Sequence, residues 1–545
     1  MGRHFEGLDD PEHMTVVRLS VLLAGCAVIA RIVFWVYTRR VWEDALITCL
    51  HSENFAKGLG MTHFHPGEAP LHGFTSPLSV LIPLMADLVR AGLGIPFLKL
   101  VSIPAGALTV WYLMALSIHP KVRIPAPLAV ALMGYAAFEH QQILFGMAGM
   151  ETQVATLILV MSVYYVAAWR PGIVGVLLGF CMLARPDFCF WTAIVGLYAL
   201  WREPRKLPEM VGLALLVYLP WIVFTTWYYG SPLPHTIVAK MLCEAPWYTT
   251  LDPWTWGAFK RFTGITLCEQ VIIALSPTFA GHGSGLVRFY FGGTESPLAN
   301  VLFVFGLFGV AASFRAPRTL LAPALGALVY TLYYVYVVPM MGSWYRATFS
   351  VFLLITCVYG LSQAARCLPA RPWRNAILWA VSLAYMCLFC GVLPLTFYTE
   401  KQIQRDIEGQ VRMKAALYLH DRLQPGDTVG CEPLGYMSYY SGGEVFDWPG
   451  LASRRVTNFS EHASPAERGL EGMLHALQPA YIFLREMERV QLKDPAWLKE
   501  HYTEVQEFRV NPEAAQQIRW IDRNIDTWFH LYRQKDKTAI PPSAP

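Results

Sequence analysis

The chain has 545 residues, of which 54% are hydrophobic and 15% charged, and its mean hydropathy is +0.36. This composition excludes a soluble protein of this length, whose surface would need far more charge. The net charge of +4 is small and no basic run is interleaved with aromatic residues, so a nucleic-acid partner is also excluded. We predict a polytopic α-helical membrane protein whose partner is the lipid bilayer.

Apolar runs suited to membrane helices recur up to residue 397. The two short runs at 172–185 and 188–201 meet at the polar corner Arg185-Pro186-Asp187. We predict about eleven spans, near residues 16–37, 96–118, 124–143, 152–168, 172–185, 188–201, 208–227, 298–314, 319–338, 347–363 and 375–397.

Basic residues predict the orientation of these spans. With the N-terminus inside, each short inward loop carries Lys or Arg, as the positive-inside rule requires. These loops lie around Lys121, Arg170, Arg202, Arg315 and Arg371. An odd number of spans then places the region after residue 397 outside the membrane.

The first outer loop, residues 38–95, begins with two adjacent carboxylates, Glu43 and Asp44. A short helix is predicted from about Ala45 to the glycines at 58 and 60. One interpretation makes Asp44 a catalytic base at the membrane surface. In the other, Asp44 is the N-cap of this helix and Glu43 is favoured by the helix dipole.

The later part of the same loop, residues 76–93, is apolar enough to suggest a further span. Counting it as a span would place the basic loops alternately on both sides of the membrane. We therefore interpret it as an interfacial helix, with Asp87 and Arg90 turned to water.

Polar motifs collect in the predicted outer loops, which indicates chemistry on that face with a substrate held in the lipid. The set suits glycosyl transfer from a lipid-linked phosphosugar. Asp44 would take the proton of an acceptor hydroxyl, and a cation would stabilise the departing phosphate. The cations available are Arg185, His235, Lys240 and Arg346. Three of them also have a structural interpretation: Lys240 as a membrane anchor, Arg346 in an ion pair at a helix start, and His235 as a turn residue.

Substrate contacts are assigned to His72 and Thr75 in HGFTSPL and to Glu151 in GMETQ. Because Glu151 opens a span, N-capping is the alternative for that residue. The sequence names no certain cofactor. A divalent cation would suit Glu43, Asp44 and the histidines at 63 and 65, although their spacing is no metal signature. A disulfide between Cys243 and Cys268 is disfavoured, because two cysteines in one loop are weak grounds for a bond.

Several motifs in order resemble the GT-C superfamily of membrane glycosyltransferases, and within it the terminal arabinofuranosyltransferase-like branch of bacteria. They are WEDALI at Trp42, NFAKGLG at Asn54, HPGE at His65, GFTSPL at Gly73, GMET at Gly149, LARPD at Leu183, YYGSPLPHTIVAK at Tyr228 and GSWYR at Gly342. The first acid is Glu where Asp is frequent in the family, and Leu50-His51 stands where Arg is common.

The resemblance implies a polyprenyl-phosphate sugar donor, a cell-envelope glycan acceptor and inversion at the anomeric carbon. It also implies a catalytic carboxylate in the first outer loop, matching Asp44 or Glu43. The location implied is a bacterial cell membrane, crossed several times, with an extracytoplasmic catalytic face. On this basis residues 1–397 form a GT-C transmembrane catalytic domain.

Residues 398–545 lose the long apolar runs and are predicted as a separate outer domain of mixed α/β structure. Strands are expected at 481–484 and 503–510, and a helix at 403–423. The turn SYYSGGEVFDWPG, with Tyr439, Tyr440 and Trp448, is suited either to stacking on a glycan or to packing in the core.

Three classes of function are compatible with these observations. The glycosyltransferase requires the first-loop acid. A transporter or flippase of lipid-linked sugars predicts broken helices at matching positions in two halves, and no such symmetry is visible. A membrane-anchored glycan-binding protein would tolerate loss of the acids while its C-terminal domain kept binding.

Overall fold

The computed structural model describes residues 11–63, 68–242, 263–264, 267, 271–275, 278–279, 284–285, 297–315, 317–337, 342–367, 372–464, 467–521 and 526–535. Four residues named above, Cys243, Cys268, His65 and Arg371, lie outside these ranges. The chain divides into two compact units. The first contains residues 1–40, 98–221 and 251–398, and the second contains residues 41–97, 222–250 and 399–545.

The first unit is built from apolar helices. They are α1 (Pro11–Thr38), α4 (Gly94–Ile118), α5 (Ala126–Phe138), α6 (His140–Met147), α7 (Thr152–Ala168), α8 (Pro171–Ala184), α9 (Phe188–Arg202), α10 (Leu207–Tyr229), α12 (Pro297–Ser313), α13 (Leu321–Tyr336), α14 (Ser343–Cys367) and α15 (Pro372–Gln402). Short 3-10 turns occur at Pro204–Lys206 and Ile272–Leu275, and β1 (Thr278–Phe279) pairs antiparallel with β2 (Ser284–Gly285).

Every predicted span coincides with helical structure, but the run at 124–143 consists of two helices, α5 and α6. The division falls at Glu139, whose backbone is extended at ψ 129° and whose carboxylate accepts the Gln142 N–H at 3.0 Å. This is an N-cap, so a buried acid restarts the helix. Sequence periodicity missed it because the residues on both sides are apolar.

Five helices within the described residues are long and apolar enough to cross a membrane. They cover His13–Thr38, Gly94–Ile118, Pro204–Tyr229, Trp344–Cys367 and the apolar part of Trp373–His420. Shorter apolar helices accompany them, including α7, α8, α9 and α13. The chain is a multi-pass membrane protein, and the number of crossings remains a prediction.

The second unit combines the first loop with the C-terminal residues. Its helices are α2 (Glu43–Ala56), α3 (Leu78–Asp87), α11 (His235–Leu242), a π-helical segment (Ile403–Met413), α16 (Lys414–His420), α17 (Leu434–Ser441), α18 (Arg454–His462), α19 (Leu470–Leu477), α20 (Glu486–Gln491), α21 (Pro495–His501) and α22 (Pro512–Ile521). Its strands are β3 (Thr428–Cys431), β4 (Glu444–Asp447), β5 (Tyr481–Arg485), β6 (Tyr502–Arg509) and β7 (Trp528–Gln534).

These five strands form one mixed sheet in the order β4-β3-β5-β7-β6. Strand β3 is parallel to β4 and β5, whereas β7 is antiparallel to β5 and β6. The strands predicted at 481–484 and 503–510 are therefore confirmed. Tyr440 and Trp448 pack against the apolar clusters on the sheet, which favours the core interpretation of these aromatics.

Asp87 contradicts the expectation that it faces water. Its side chain is buried, and it accepts the backbone N–H groups of Gly92 at 3.0 Å and Gly94 at 2.8 Å and the hydroxyl of Ser52 at 2.5 Å. A carboxylate with several donors is stable in a buried position. The acid thus closes the turn after α3 and ties it to α2.

Candidate functional site

The two candidate catalytic acids occupy the first turn of α2. The helix begins at Glu43, and its N-cap is Trp42, whose side chain makes no capping bond. Asp44 is therefore not the N-cap that one interpretation proposed. Both carboxylates still lie at the positive end of the helix dipole, which stabilises their ionised forms. The helix ends where Gly58 adopts φ 78°, as the glycine pattern predicted.

Glu43 is held by the C-terminal part of the second unit. Its Oε2 accepts a hydrogen bond from Arg412 Nη1 at 2.6 Å, and its Oε1 accepts the backbone N–H of Gly435 at 3.2 Å. Gly435 lies so close that a Cβ there would stand 2.3 Å from the Glu43 carbonyl oxygen. Only glycine permits this approach of α17 to α2.

Asp44, one residue further along the helix, is half-buried. Successive helical residues point about 100° apart, so the two acids face different directions. Glu43 anchors the start of α2, and this anchoring fixes the backbone position of Asp44.

We expect Glu43→Gln to lower the free energy of unfolding by about 1–3 kcal/mol, because the substitution removes a charge-assisted hydrogen bond from a largely buried pair. The side chains of Arg412 and Glu43 are only 17% and 21% exposed, so solvent screens the pair little. Chemical denaturation in detergent would measure the loss. The same measurement on Arg412→Gln and on the double variant completes a double-mutant cycle. If the double variant lost as much free energy of unfolding as the two single variants together, a direct interaction would be contradicted.

The first-loop residues do not fit a metal site in the described part of the chain. Glu43 is engaged as above, and His63 Nε2 lies 3.1 Å from the Ile47 carbonyl, which requires this nitrogen to donate. Among the described residues, the group whose potential ligand atoms converge within 4.8 Å is elsewhere, at Glu504, Glu507 and His530.

Histidines of the first loop form an aromatic cluster in the second unit. His72 stacks on Tyr229 with ring centroids 4.7 Å apart and packs edge-on against Phe74. His51 packs edge-on against both Phe74 and His63. His51 and His72 are both buried.

The neighbouring helix α11 carries two of the predicted cations. The His235 backbone N–H donates to the His72 carbonyl at 3.0 Å, and its Nε2 lies 3.3 Å from the Thr457 hydroxyl. Thr75 Oγ1 is 3.2 Å from Thr236 Oγ1. Lys240 is exposed in the last turn of α11. The second unit therefore brings together the substrate-binding candidates His72 and Thr75 with His235.

Burial lowers the pKa of these histidines, since an imidazolium loses its hydration there. The pKa of His51 falls to about 3, chiefly through burial, with the charge of His72 contributing in the same direction. The pKa of His72 falls to about 4, through burial and then through His235. Burial and then Arg454 also lower the pKa of His235.

These shifts predict loss of stability in acid. Below the usual histidine pKa of 6.5 the unfolded chain takes up protons that folded His51 and His72 do not accept until about pH 3 and 4. Folding is thus favoured above pH 6.5 and progressively disfavoured as the pH falls through this window. We expect His72→Phe to flatten the dependence of the thermal midpoint on pH, and the exposed His462→Gln to leave it unchanged. An unaltered slope in His72→Phe would contradict the assignment.

In the first unit, Arg185 forms the centre of a second polar cluster. Its Nε donates to Asp187 Oδ1 at 3.0 Å, and its guanidinium lies 3.8 Å from the centre of the Tyr345 ring. The Tyr334 hydroxyl donates to Asp187 Oδ2 at 2.9 Å. The short helices α8 and α9 meet at this corner, as predicted. The ion pair accounts for a buried arginine there.

The other two predicted site residues of this unit are also buried. Arg346 lies in the first turn of α14, and the carbonyl of the next residue, Ala347, accepts a hydrogen bond from the Gln142 side chain. Glu151 is the N-cap residue of α7 but makes no side-chain capping bond. The N-capping alternative is therefore confirmed for the position of Glu151 at the start of α7, but not for a capping hydrogen bond from its side chain.

Sequence reasoning missed the partners of these residues. Arg412 and Gly435 carry no motif used above, and they lie more than 360 residues from Glu43 along the chain. Only the Arg-Pro-Asp corner gave a local signal, since Asp187 follows Arg185 by two residues.

Comparison with known proteins identifies the fold. The family described as a domain of unknown function, DUF8728, matches residues 399–532. A search of curated protein sequences finds no match. Among solved structures, the Archaeoglobus fulgidus oligosaccharyltransferase in complex with Zn and sulfate has a TM-score of 0.52 and 14% identity, covering 91% of this chain and 72% of that one.

ArnT from Cupriavidus metallidurans in the apo state has a TM-score of 0.51 and 12% identity, covering 94% of this chain and 97% of that one. The same ArnT bound to undecaprenyl phosphate has a TM-score of 0.49 and 12% identity, covering 96% and 99%. At such low sequence identity, the similarity to these structures describes the fold alone. The chain therefore shares its fold with these two proteins.

Proposed function

We propose that this protein is a glycosyltransferase that moves a sugar from a polyprenyl-phosphate donor to a glycan acceptor of the bacterial cell envelope, on the extracytoplasmic face. The observation that carries the proposal is the start of α2, where Arg412 and Gly435 hold Glu43 and so fix the position of Asp44. The GT-C fold supports the same class of reaction. ArnT, which shares the fold, has been solved bound to undecaprenyl phosphate.

In the proposed reaction Asp44 is the general base. Its carboxylate accepts the proton of the acceptor hydroxyl as that oxygen forms a bond to the anomeric carbon. The bond from this carbon to the phosphate oxygen breaks, and polyprenyl phosphate leaves as an anion. Because the hydroxyl attacks opposite the leaving group, configuration inverts. Glu43 is a positioning residue in this scheme, since its oxygens are bound to Arg412 and Gly435.

Cations would stabilise the charge that develops on the phosphate. Of the four candidates, Arg346 is buried, His235 is half-buried and Lys240 is exposed, and each carries a cationic or ionisable group that suits this role. Arg185 is bound to Asp187, so it would act as a rigid, partly neutralised donor. We assign His72, Thr75 and Glu151 to the surroundings of the sugar and acceptor rather than to bond breaking.

The proposal also concerns which sugar is transferred. The order of the motifs favours a donor of the arabinofuranosyl type, although Glu43 and Leu50-His51 depart from that branch. A purified full-length protein should be assayed against a panel of polyprenyl-phosphate sugars that includes this donor, with product configuration read by NMR. Retention of configuration would exclude direct displacement. Movement of lipid-linked sugar across vesicles without any product would favour the flippase instead.

A further inference from the structure

A cavity of about 240 Å³ in the first unit is lined by none of the candidate site residues discussed above. Its lining includes Lys121, Arg315, Tyr359, Gln363 and Arg366. Lys121 follows the C-terminal end of α4, Arg315 follows that of α12, and Arg366 is in the last turn of α14. The cavity is thus framed by the ends of three apolar helices.

Close helix packing makes one wall of this cavity rigid. Helices α12 and α14 approach each other through glycines, and a Cβ at Gly309 would stand 2.2 Å from the Thr356 carbonyl oxygen. At Gly360 a Cβ would stand 1.9 Å from the Phe305 carbonyl oxygen. No larger residue fits at either position. The backbones of α12 and α14 are therefore in close contact next to the residues that line the cavity.

The charged side chains at the cavity are positive. Among the described residues that line it, three carry cationic side chains and none is an acid. Arg366 Nη2 donates to the Val122 carbonyl at 3.3 Å and to the Arg123 carbonyl, which fixes its guanidinium beside the loop of Lys121. Cations at helix C-termini interact favourably with the helix dipoles. Three of them around one cavity repel one another and attract an anion.

Apolar surface adjoins the cationic cavity. Phe308 is part of the lining, and the neighbouring Leu307 and Phe314 are 51% and 53% exposed. In a membrane protein such exposed side chains on an apolar helix face acyl chains. A ligand that is anionic at one end and apolar at the other would contact both surfaces.

We propose that this cavity binds the phosphoryl group of an anionic phospholipid. The loops that frame it are those that the sequence predicts to be cytoplasmic, where basic pockets between membrane helices meet anionic headgroups. Lys121, Arg315 and Arg366 contact the phosphate oxygens, Tyr359 and Gln363 offer further polar contacts, and an acyl chain lies along α12. This site is separate from the proposed glycosyl transfer.

The test uses the full-length protein reconstituted in nanodiscs of phosphatidylcholine with and without phosphatidylglycerol, with bound lipid counted by native mass spectrometry. We expect the double variant Lys121→Gln/Arg315→Gln to lower phosphatidylglycerol affinity roughly tenfold or more, since each surface cation contributes about 1 kcal/mol toward anionic lipid. Both side chains are exposed, so the fold should persist. The matched control Arg205→Gln removes an exposed cation from another basic loop and should bind as the wild type does.

Two outcomes would overturn the proposal. Equal phosphatidylglycerol binding by wild type and double variant would exclude the cavity as the site. In the other outcome, inorganic phosphate displaces all bound phosphatidylglycerol and protects the wild type against thermal unfolding as well as the lipid does. That result would assign the cavity to a soluble phosphate. A shift in binding that weakens with added salt supports the ionic contacts.

Discussion

Asp44→Asn should reduce glycosyl transfer by about 10²–10⁴-fold, because an amide cannot accept the proton of the acceptor hydroxyl. The substitution keeps the size and the place of the side chain on α2, so we expect the protein to insert and to unfold at the same temperature. Product formation with the best donor of the panel, measured in single-turnover reactions, gives the rate of the chemical step. Donor binding should change much less than this rate.

The control for this experiment is Asp421→Asn, which removes an exposed carboxylate from the C-terminal part of the second unit. It should transfer sugar at the wild-type rate. Undiminished turnover by a correctly inserted Asp44→Asn protein would refute the general-base role. If Glu43→Gln lost more activity than Asp44→Asn at equal stability, the base would be Glu43.

Arg31→Met should destabilise the first unit by about 3–5 kcal/mol, because the buried Gln153 side-chain oxygen and two helix-end carbonyls lose their donor and each unsatisfied acceptor costs about 1–3 kcal/mol. Arg31 is fully buried in α1. Its Nε and Nη2 donate to Gln153 Oε1 at 3.1 and 2.5 Å, and its guanidinium also reaches the Ala136 carbonyl at 3.2 Å and the Ala137 carbonyl at 3.4 Å. The two alanines end α5, so the arginine satisfies carbonyls that the helix leaves unpaired.

The measurement is thermal unfolding in detergent, with Arg18→Met as the matched control on an exposed face of the same helix. Arg31→Lys should recover only part of the stability, since an ammonium lacks the planar fork that spans the glutamine and the two carbonyls. Loss of stability in Gln153→Ala should be strongly non-additive with that in Arg31→Met. A wild-type melting temperature for Arg31→Met would show that the network contributes nothing.

The pH dependence of His72 and the cycle at Glu43 and Arg412 test the second unit, whereas Arg31 tests the first. Together these stability measurements distinguish variants that are destabilised from variants that have lost only catalysis. A variant that melts normally and transfers no sugar implicates the chemistry. A variant with a lowered melting temperature has lost interactions that stabilise the fold.

The sequence by itself determined the class of protein and the positions of its helices, because apolar runs and basic loops are local properties that a bilayer constrains strongly. Glycines at 58 and 60 likewise marked the end of α2, since left-handed backbone is a property of single residues. The strands at 481–484 and 503–510 were readable from their own side chains.

Only the tertiary structure decided the partners of polar residues. Asp87 looked exposed by its position in an amphipathic segment, yet two backbone donors after α3 and the Ser52 hydroxyl in α2 make its burial favourable. Glu43 and Asp44 are adjacent and chemically alike, and what separates them is an arginine and a glycine backbone far along the chain. Hydrogen bonds between distant segments leave no local pattern, so the anchoring acid becomes distinct from the proposed base only after folding.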